Sequence, residues 1–372
     1  MKNMSPNNNK SPSVYIIILN WNGWVDTIEC LESLIHQDYD NFTIVVVDNG
    51  SENDSLDQIT KWAKGHVNVS TSLCTFAPDS KPVDVYTYAQ DVAEKGGIDS
   101  VELEMAELPS HKRIVIIENN ENLGFAGGCN VGIRYAQSSA ADYIWLLNND
   151  TLVMPDALSK LVDFLDLHAD YGVATAQIRY YGKPDVIWNC GGMLTWYGCR
   201  KYDYCGSTMS SVPESGYKNV TYITGCAALF RTSLFADIGI LTHKYFFGEE
   251  DFEMALRIKK LKYCKQACIY DSIIYHKVGA SIGKASKGIS LGKPYVYYLN
   301  RFIDLKHYWP LPLWSIWRLI YLLYIIPLVK FKCRARSMEL VKFTRYLLKE
   351  SASLDSVTKR TFEKSIKELF PS

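Results

Sequence analysis

Short apolar runs separated by polar turns set the rhythm of the first 150 residues. Residues 14–19 (VYIIIL) are continuously apolar and β-branched, the pattern of a short strand buried on both faces. The polar turn Asn20-Trp21-Asn22-Gly23 follows, then apolar residues at helical spacing over 27–35. Residues 42–47 (FTIVVV) form a second strand run that ends at Asp48-Asn49-Gly50-Ser51. Strand, helix and strand within about 35 residues predict a βαβ unit, with its right-handed crossover and parallel sheet. The pattern resumes with a strand at 114–117, a Gly-rich turn at 123–128, a helix over 130–136 and a strand at 143–147. That strand ends at Asn148-Asn149-Asp150, and Pro155 and Asp156 open a helix running to Leu167. In doubly wound sheets ligands sit beyond the carboxyl ends of the strands. Asn20, Asp48, the 119–122 cluster and the 148–150 cluster all fall there.

The connection over 52–112 is too long for a simple crossover. Residues 56–63 suit the crossover helix, while 74–109 show no clear period and are expected to be an inserted excursion, a small subdomain or lid. Farther on, strands are expected at 173–178, 188–194, 220–224 and 269–275, with helices near 231–238 and over 252–261. Residues 311–329 are apolar except for Ser315 and Arg318, and the basic residues Lys332, Arg334, Arg336, Lys342, Arg345 and Lys349 follow. Length is borderline for a bilayer span. Two prolines, Arg318, the basic tail and aromatics such as Trp314, Trp317, Tyr321 and Tyr324 suit an interfacial helix better, although a buried C-terminal helix carries the same pattern.

Composition narrows the class without naming a partner. Hydrophobic residues make up 48% of the chain, which excludes global disorder. Lys plus Arg and Asp plus Glu are 40 each, so no overall field attracts nucleic acid. The ten cysteines show no paired CxxC spacing, and the polar start reads as a leader over 1–12 rather than a signal peptide. A reducing cytosol is the expected compartment.

Several clusters can carry chemistry. Asp48 either accepts the imino proton of a uracil or thymine ring or caps its turn with Ser51. Asp150 could hold a hard divalent cation whose octahedron phosphate oxygens complete, or simply belong to an Asx turn. Glycines over 124–128 before a helix let backbone amides approach an anion, or merely allow tight packing. Glu249-Glu250-Asp251 opens a helix where acids are favoured by the dipole, and one of them could equally serve as a general base. Arg257 lies one turn beyond Glu253, placed to hold it by a salt bridge, and His276 ends a strand as a possible metal ligand or a satisfied core residue.

Together, VYIIILNWNG (14–23), IVVVDNGS (44–51), ENNENLGFAGGCNVGI (118–133), YIWLLNNDT (143–151), ITGCAALFR (223–231), FFGEEDFEMALR (246–257) and IIYHKVGAS (273–281) resemble the inverting nucleotide-sugar glycosyltransferases of family 2, in its rhamnosyltransferase-like branch. The resemblance implies an α/β GT-A-type fold: a Rossmann-like donor half fused to an acceptor half around a mixed central sheet, with a C-terminal helical extension. The boundaries it suggests are a catalytic domain over 13–300, with donor half 13–150, insertion about 64–112, acceptor half 151–300, and a membrane-associated extension over 301–372. It implies Asp251 as catalytic base, with Glu250, Glu253 and Arg257 as acceptor or supporting residues. It places Asn20, Asp48, Asn122, Gly124, Gly127, Asn130 and Asn149 at the donor, and Asp150 and His276 at an Mg²⁺ or Mn²⁺ ion. Asn148 stands where the family's metal motif usually has its first Asp.

The expected activity is transfer of a sugar, rhamnose by the branch, from a UDP- or dTDP-sugar to a glycan or lipid-linked acceptor in cell-surface polysaccharide synthesis. The expected location is the cytoplasm, at the inner membrane face. A non-catalytic sugar-nucleotide-binding module of the same fold is the alternative. A dinucleotide oxidoreductase needs its glycine fingerprint after strand one, where this chain has Asn-Trp-Asn-Gly. Processive polymer synthesis usually brings a QxxRW-type motif and several spanning helices, and neither is visible.

Overall fold

The computed structural model describes residues 11–69, 71, 78–278 and 290–371. Residues 1–10 of the leader expected over 1–12, and the Gly279-Ala280-Ser281 end of the last matching segment, lie outside the described residues. Along the chain run β1 (Val14–Asn20), α1 (Trp24–Leu34), β2 (Phe42–Asp48), α2 (Ser55–Ala63), β3 (Asp84–Ala89), α3 (Gln90–Ala93), α4 (Asp99–Ala106), β4 (Arg113–Glu118), α5 (Gly124–Ser138), β5 (Tyr143–Asn148), β6 (Thr151–Val153) and α6 (Ala157–Leu167). The second half adds β7 (Tyr171–Tyr180), β8 (Lys183–Asn189), β9 (Gly192–Leu194), β10 (Arg200–Tyr202), β11 (Tyr217–Val220), β12 (Ala227–Arg231), α7 (Leu234–Ile238), α8 (Glu250–Lys260) and β13 (Lys265–His276). Four helices close the chain: α9 (Gly292–Tyr308), α10 (Leu311–Cys333), α11 (Ser337–Ser353) and α12 (Lys359–Lys364).

The strands β3-β4-β2-β1-β5 are parallel, and β12 joins β5 antiparallel to extend the sheet through β7, β13 and β11. This is the expected mixed α/β sheet. Continuous apolar strands fit because both faces are covered. One face packs on α1, α2 and α6 through residues such as Ile28, Leu31, Ile59, Trp62 and Leu161; the other packs on α5 and α8 through Ile133, Tyr135 and Met254. Register then sets the chemistry. Asn20 lies opposite Asp48, Asp48 opposite Glu118, and Leu19 opposite Asn148, so the polar row forms at one carboxyl edge.

Four expectations change. The 64–112 stretch is not a separate lid among the described residues: β3 pairs with β4 in the main sheet, and its exposed side leaves the mixed polarity that hides a strand's period. The turn at 123–128 is already helix, because α5 begins at Gly124 and its small residues let it press on the sheet. A Cβ on Gly128 would come 2.3 Å from Leu19 Cδ1, so tertiary packing outweighs the low helix propensity of glycine. The strand expected over 188–194 is split into β8 and β9 at Gly191, whose φ is +68°. β12 fills the sheet centre from a segment whose strand was expected at 220–224.

The last helices are integral to the fold. Leu299, Phe302 and Ile303 of α9 share a core with Phe252 and Ala255 of α8 and with Trp314, Ile325 and Phe343.

Candidate active site

A large open cleft of about 3290 Å³ runs along the carboxyl edge of the parallel strands. Pockets for one small ligand are typically about 300–1,000 Å³, so this cleft has room for two substrates. Asp48, Asn149, Asp150, Glu250, Asp251 and His276 all line it.

At one end, Asp48 is buried at the tip of β2. Its Oδ1 accepts hydrogen bonds from Asn20 Nδ2 (2.7 Å) and Ser51 Oγ (2.6 Å), and its Oδ2 accepts one from the Ser51 amide (3.0 Å). A carboxylate oxygen can accept two hydrogen bonds, so Oδ2 keeps capacity for a ligand donor. Asn122 braces the neighbouring loop: its Oδ1 accepts from Asn49 Nδ2 (3.0 Å) and from the Gly124 amide (2.8 Å). Gly124 has φ +77°, and a Cβ there would lie 2.1 Å from the Phe246 carbonyl oxygen, so only glycine admits this close approach.

In the middle, pairing of β6 with β13 sets Thr151 opposite His276 and brings Asp150 beside that histidine, 126 positions away. His276 Nε2 lies 3.0 Å from Asp150 Oδ1, and Trp188 packs edge-on against the imidazole at 4.5 Å. His276 Nδ1 and Asn148 Oδ1 are buried without a hydrogen-bond partner. Asn149 is anchored by its Nδ2 to Thr27 Oγ1 (3.0 Å).

At the other end, Asp251 opens α8. Its Oδ2 accepts from Tyr222 Oη (2.5 Å) and the Gly225 amide (3.3 Å), and its Oδ1 lies 3.4 Å from Arg200 Nη1. Burial pushes the Tyr222 hydroxyl well above its ordinary value, so it stays a donor. Arg200 also reaches Glu249 Oε1 (2.9 Å), and Arg301 of α9 binds Glu249 Oε2 (2.5 Å). Glu249 adopts φ +72°, a left-handed conformation that this double clamp holds in place. Burial first, and the neighbouring Asp251 second, push the Glu250 carboxyl up to about 8. Its Oε2 has no hydrogen-bond partner, as suits a neutral acid.

Other expected site residues do not face the cleft. Asn20 is fully buried, donating to Asp48 and accepting from Thr27 Oγ1 (2.8 Å), so it sets the shape of the Asp48 turn. Asn130 is likewise buried and clips the backbone of Leu241 by two hydrogen bonds. Gly127 packs its backbone over Leu123 and is absent from the lining. Glu253 is bound by Arg257 Nε (2.8 Å) and Tyr308 Oη (2.7 Å), and Arg257 also reaches the Ile238 carbonyl, so both lock α8 to its neighbours. Sequence reasoning missed Arg200, Tyr222 and Arg301. Arg301 did leave a signal: a charge beside Leu299, Phe302 and Ile303 on an apolar helix face requires a buried partner.

The family model described as "Glycosyl transferase family 2" matches residues 15–72 and 99–239, more than half of the chain. The chain belongs to glycosyl transferase family 2. The gap between the matched segments falls on the stretch that carries β3 and α3. A curated relative, chitin synthase chs-1 of Caenorhabditis elegans, is 29% identical over 119 residues, which are 32% of this chain and 8% of that protein. The chain thus spans under a tenth of that relative. Among solved structures, GalNAc-T7 with UDP, GalNAc and Mn²⁺ superposes with a TM-score of 0.51 at 12% identity, covering 98% of this chain and 60% of that one. The mannosyltransferase PcManGT of Pyrobaculum calidifontis with GDP-Man and Mn²⁺ gives 0.48 at 16% identity, over 94% and 75% of the two chains. S. aureus TarS 1–349 gives 0.47 at 13% identity, over 95% and 90%. The family and the GalNAc-T7 superposition agree with a GT-A-type fold.

Proposed function

We propose that this chain is an inverting glycosyltransferase that moves a sugar from a nucleoside diphosphate to an acceptor hydroxyl. The observation that carries the reading is the single cleft shared by Asp48, Asp150 and Asp251. Asp48 reads the base by accepting its imino proton, which favours a UDP- or dTDP-sugar. The sugar then lies between the strand tips and α8, with its anomeric carbon toward Asp251. Asp251 takes the acceptor proton as the acceptor oxygen attacks that carbon. The bond from carbon to the diphosphate oxygen breaks on the opposite face, and the configuration inverts. Arg200 and Tyr222 position Asp251, and Glu250 keeps its proton beside it. A positioned general base is worth about a hundred- to ten-thousand-fold.

The Asp150–His276 pair suits Mg²⁺ or Mn²⁺. Asp150 and His276 would hold the ion, since they bring a carboxylate oxygen and an imidazole nitrogen within 3.0 Å of each other in the cleft. Among the described residues no three His, Cys, Asp or Glu side chains converge as a metal set, so diphosphate oxygens and water would complete the sphere. When bound, the ion would neutralise charge on the departing diphosphate. The family resemblance supports a rhamnosyl donor, and the apolar, basic C-terminal segment supports a glycan or lipid-linked acceptor.

Thermal-shift screening of UDP-, dTDP- and GDP-sugars, with and without Mn²⁺, tests the reading. Stabilisation by one nucleotide sugar that Mn²⁺ enhances and Asp150→Ala abolishes is expected. Failure of every nucleotide sugar to shift the melt would overturn it.

A further inference from the structure

Helix α10 is apolar from Leu311 to Val329 except for Ser315 and Arg318, yet only one of its faces is covered. Trp314, Trp317, Tyr321 and Ile325 pack inward. Trp314 Nε1 donates to the Phe302 carbonyl (2.8 Å), Trp317 Nε1 to the Tyr197 carbonyl (3.0 Å), and Arg318 to the Leu348 carbonyl (3.1 Å). The opposite face presents Leu313, Ile316, Ile320, Leu323 (75% exposed) and Phe331 (86% exposed) at helical spacing. Met338 and Val341 of α11 continue the exposed apolar surface. Contiguous apolar faces of this kind mark docking surfaces, unlike scattered exposed residues.

Charge selects the occupant. Residues 311–349 hold eight Lys or Arg and one acid, Glu339. Lys330, Lys332 and Arg334 rim a shallow concavity with Phe331 at the end of α10, and Arg345 is exposed on α11. A second copy laid on this face would bring like charges together, because a two-fold contact pairs each surface with itself. An anionic surface with an apolar interior matches both features. By length and composition α10 could cross a membrane. Its tryptophan and arginine contacts instead hold it flat against α9 and α11.

We propose that the outer face of α10, continued by α11, docks in the plane of an anionic lipid bilayer, with Leu313, Ile316, Ile320, Leu323 and Phe331 entering the acyl boundary. Ile320 and Tyr324 are exposed on this helix and also line the active-site cleft. The cleft therefore opens at the bilayer, and on the transferase reading, where alone this consequence rests, an acceptor carried on a hydrocarbon chain reaches Asp251 along α10.

The test is co-sedimentation of the full chain with phosphatidylcholine vesicles, with and without phosphatidylglycerol. Each basic residue near an anionic leaflet contributes about fivefold, so Lys330→Glu with Arg345→Glu should weaken binding at least about tenfold. Ile316→Glu with Leu323→Glu should do the same, and neither pair should change the melting temperature or donor hydrolysis in solution. Equal binding by wild type and both variants overturns the proposal. So does a dimer that Leu323→Glu dissociates, or protein that resists alkaline carbonate extraction as a spanning helix does. Donor hydrolysis reports separately on the transferase reading, which stands or falls without vesicle binding.

Discussion

Glu249→Gln is the sharpest probe of how the catalytic end is held together. The Glu249 side chain is fully buried, and its carboxylate alone joins Arg301, which is 1% exposed, to Arg200. Arg301 otherwise meets the Phe252 ring at 3.6 Å, the Gly198 carbonyl and the Tyr297 hydroxyl (3.3 Å), and none of these carries charge. Removing one partner of a buried ion pair costs about 3–5 kcal/mol, because the charge left behind stays desolvated. Unfolding entropy of about 2.1 cal/mol/K per residue gives about 0.8 kcal/mol/K for a chain of this length, so the melting midpoint should fall by about 4–6 °C. Activity should fall as well. Arg200 would keep Asp251 as its one carboxylate partner and draw it from its place, and a displacement of about 1 Å costs about a hundredfold. Differential scanning fluorimetry and turnover on a reactive donor read the two effects. A melt within a degree of wild type together with unchanged turnover would refute the clamp.

Two further outcomes follow from the same geometry. Native Glu250 holds its proton to about pH 8, whereas the unfolded chain releases it near 4.5. Between those values the unfolded state binds fewer protons, so this residue lowers stability as pH rises. Glu250→Gln should flatten that decline in denaturant melts between pH 5 and pH 8, and an unchanged slope would place the cause elsewhere. Gly124→Ala should weaken nucleotide binding and lower the melt, since its Cβ would meet the Phe246 carbonyl at a positive φ; wild-type binding by calorimetry would count against the close approach.

Much of this was legible in the chain because parallel strands announce themselves. Runs such as FTIVVV can be buried only on both faces, and the polar residue ending each run must then stand at the sheet edge. Asp48 and Asp150 were visible for that reason. The meeting of Asp150 with His276 was expected only through the family resemblance, because the chain's own pattern does not show antiparallel pairing across more than a hundred residues. Polar type also misled where the side chain turned inward: Asn20 and Asn130 carry amides that serve the backbone, and a sequence shows residue type but not direction. Arg200 lies in a three-residue strand with no period to read, and only the fold brings it to Asp251. β3 was hidden because an edge strand with one exposed face lacks the apolar continuity of its neighbours.

The central claim is that Asp251 is the base in a cleft that binds a nucleotide sugar. Its most direct test is Asp251→Asn, assayed for donor affinity by calorimetry and for transfer by product formation. The account predicts donor affinity within about twofold of wild type and transfer lower by about a hundred- to ten-thousand-fold. Near-normal transfer by a folded variant would contradict it.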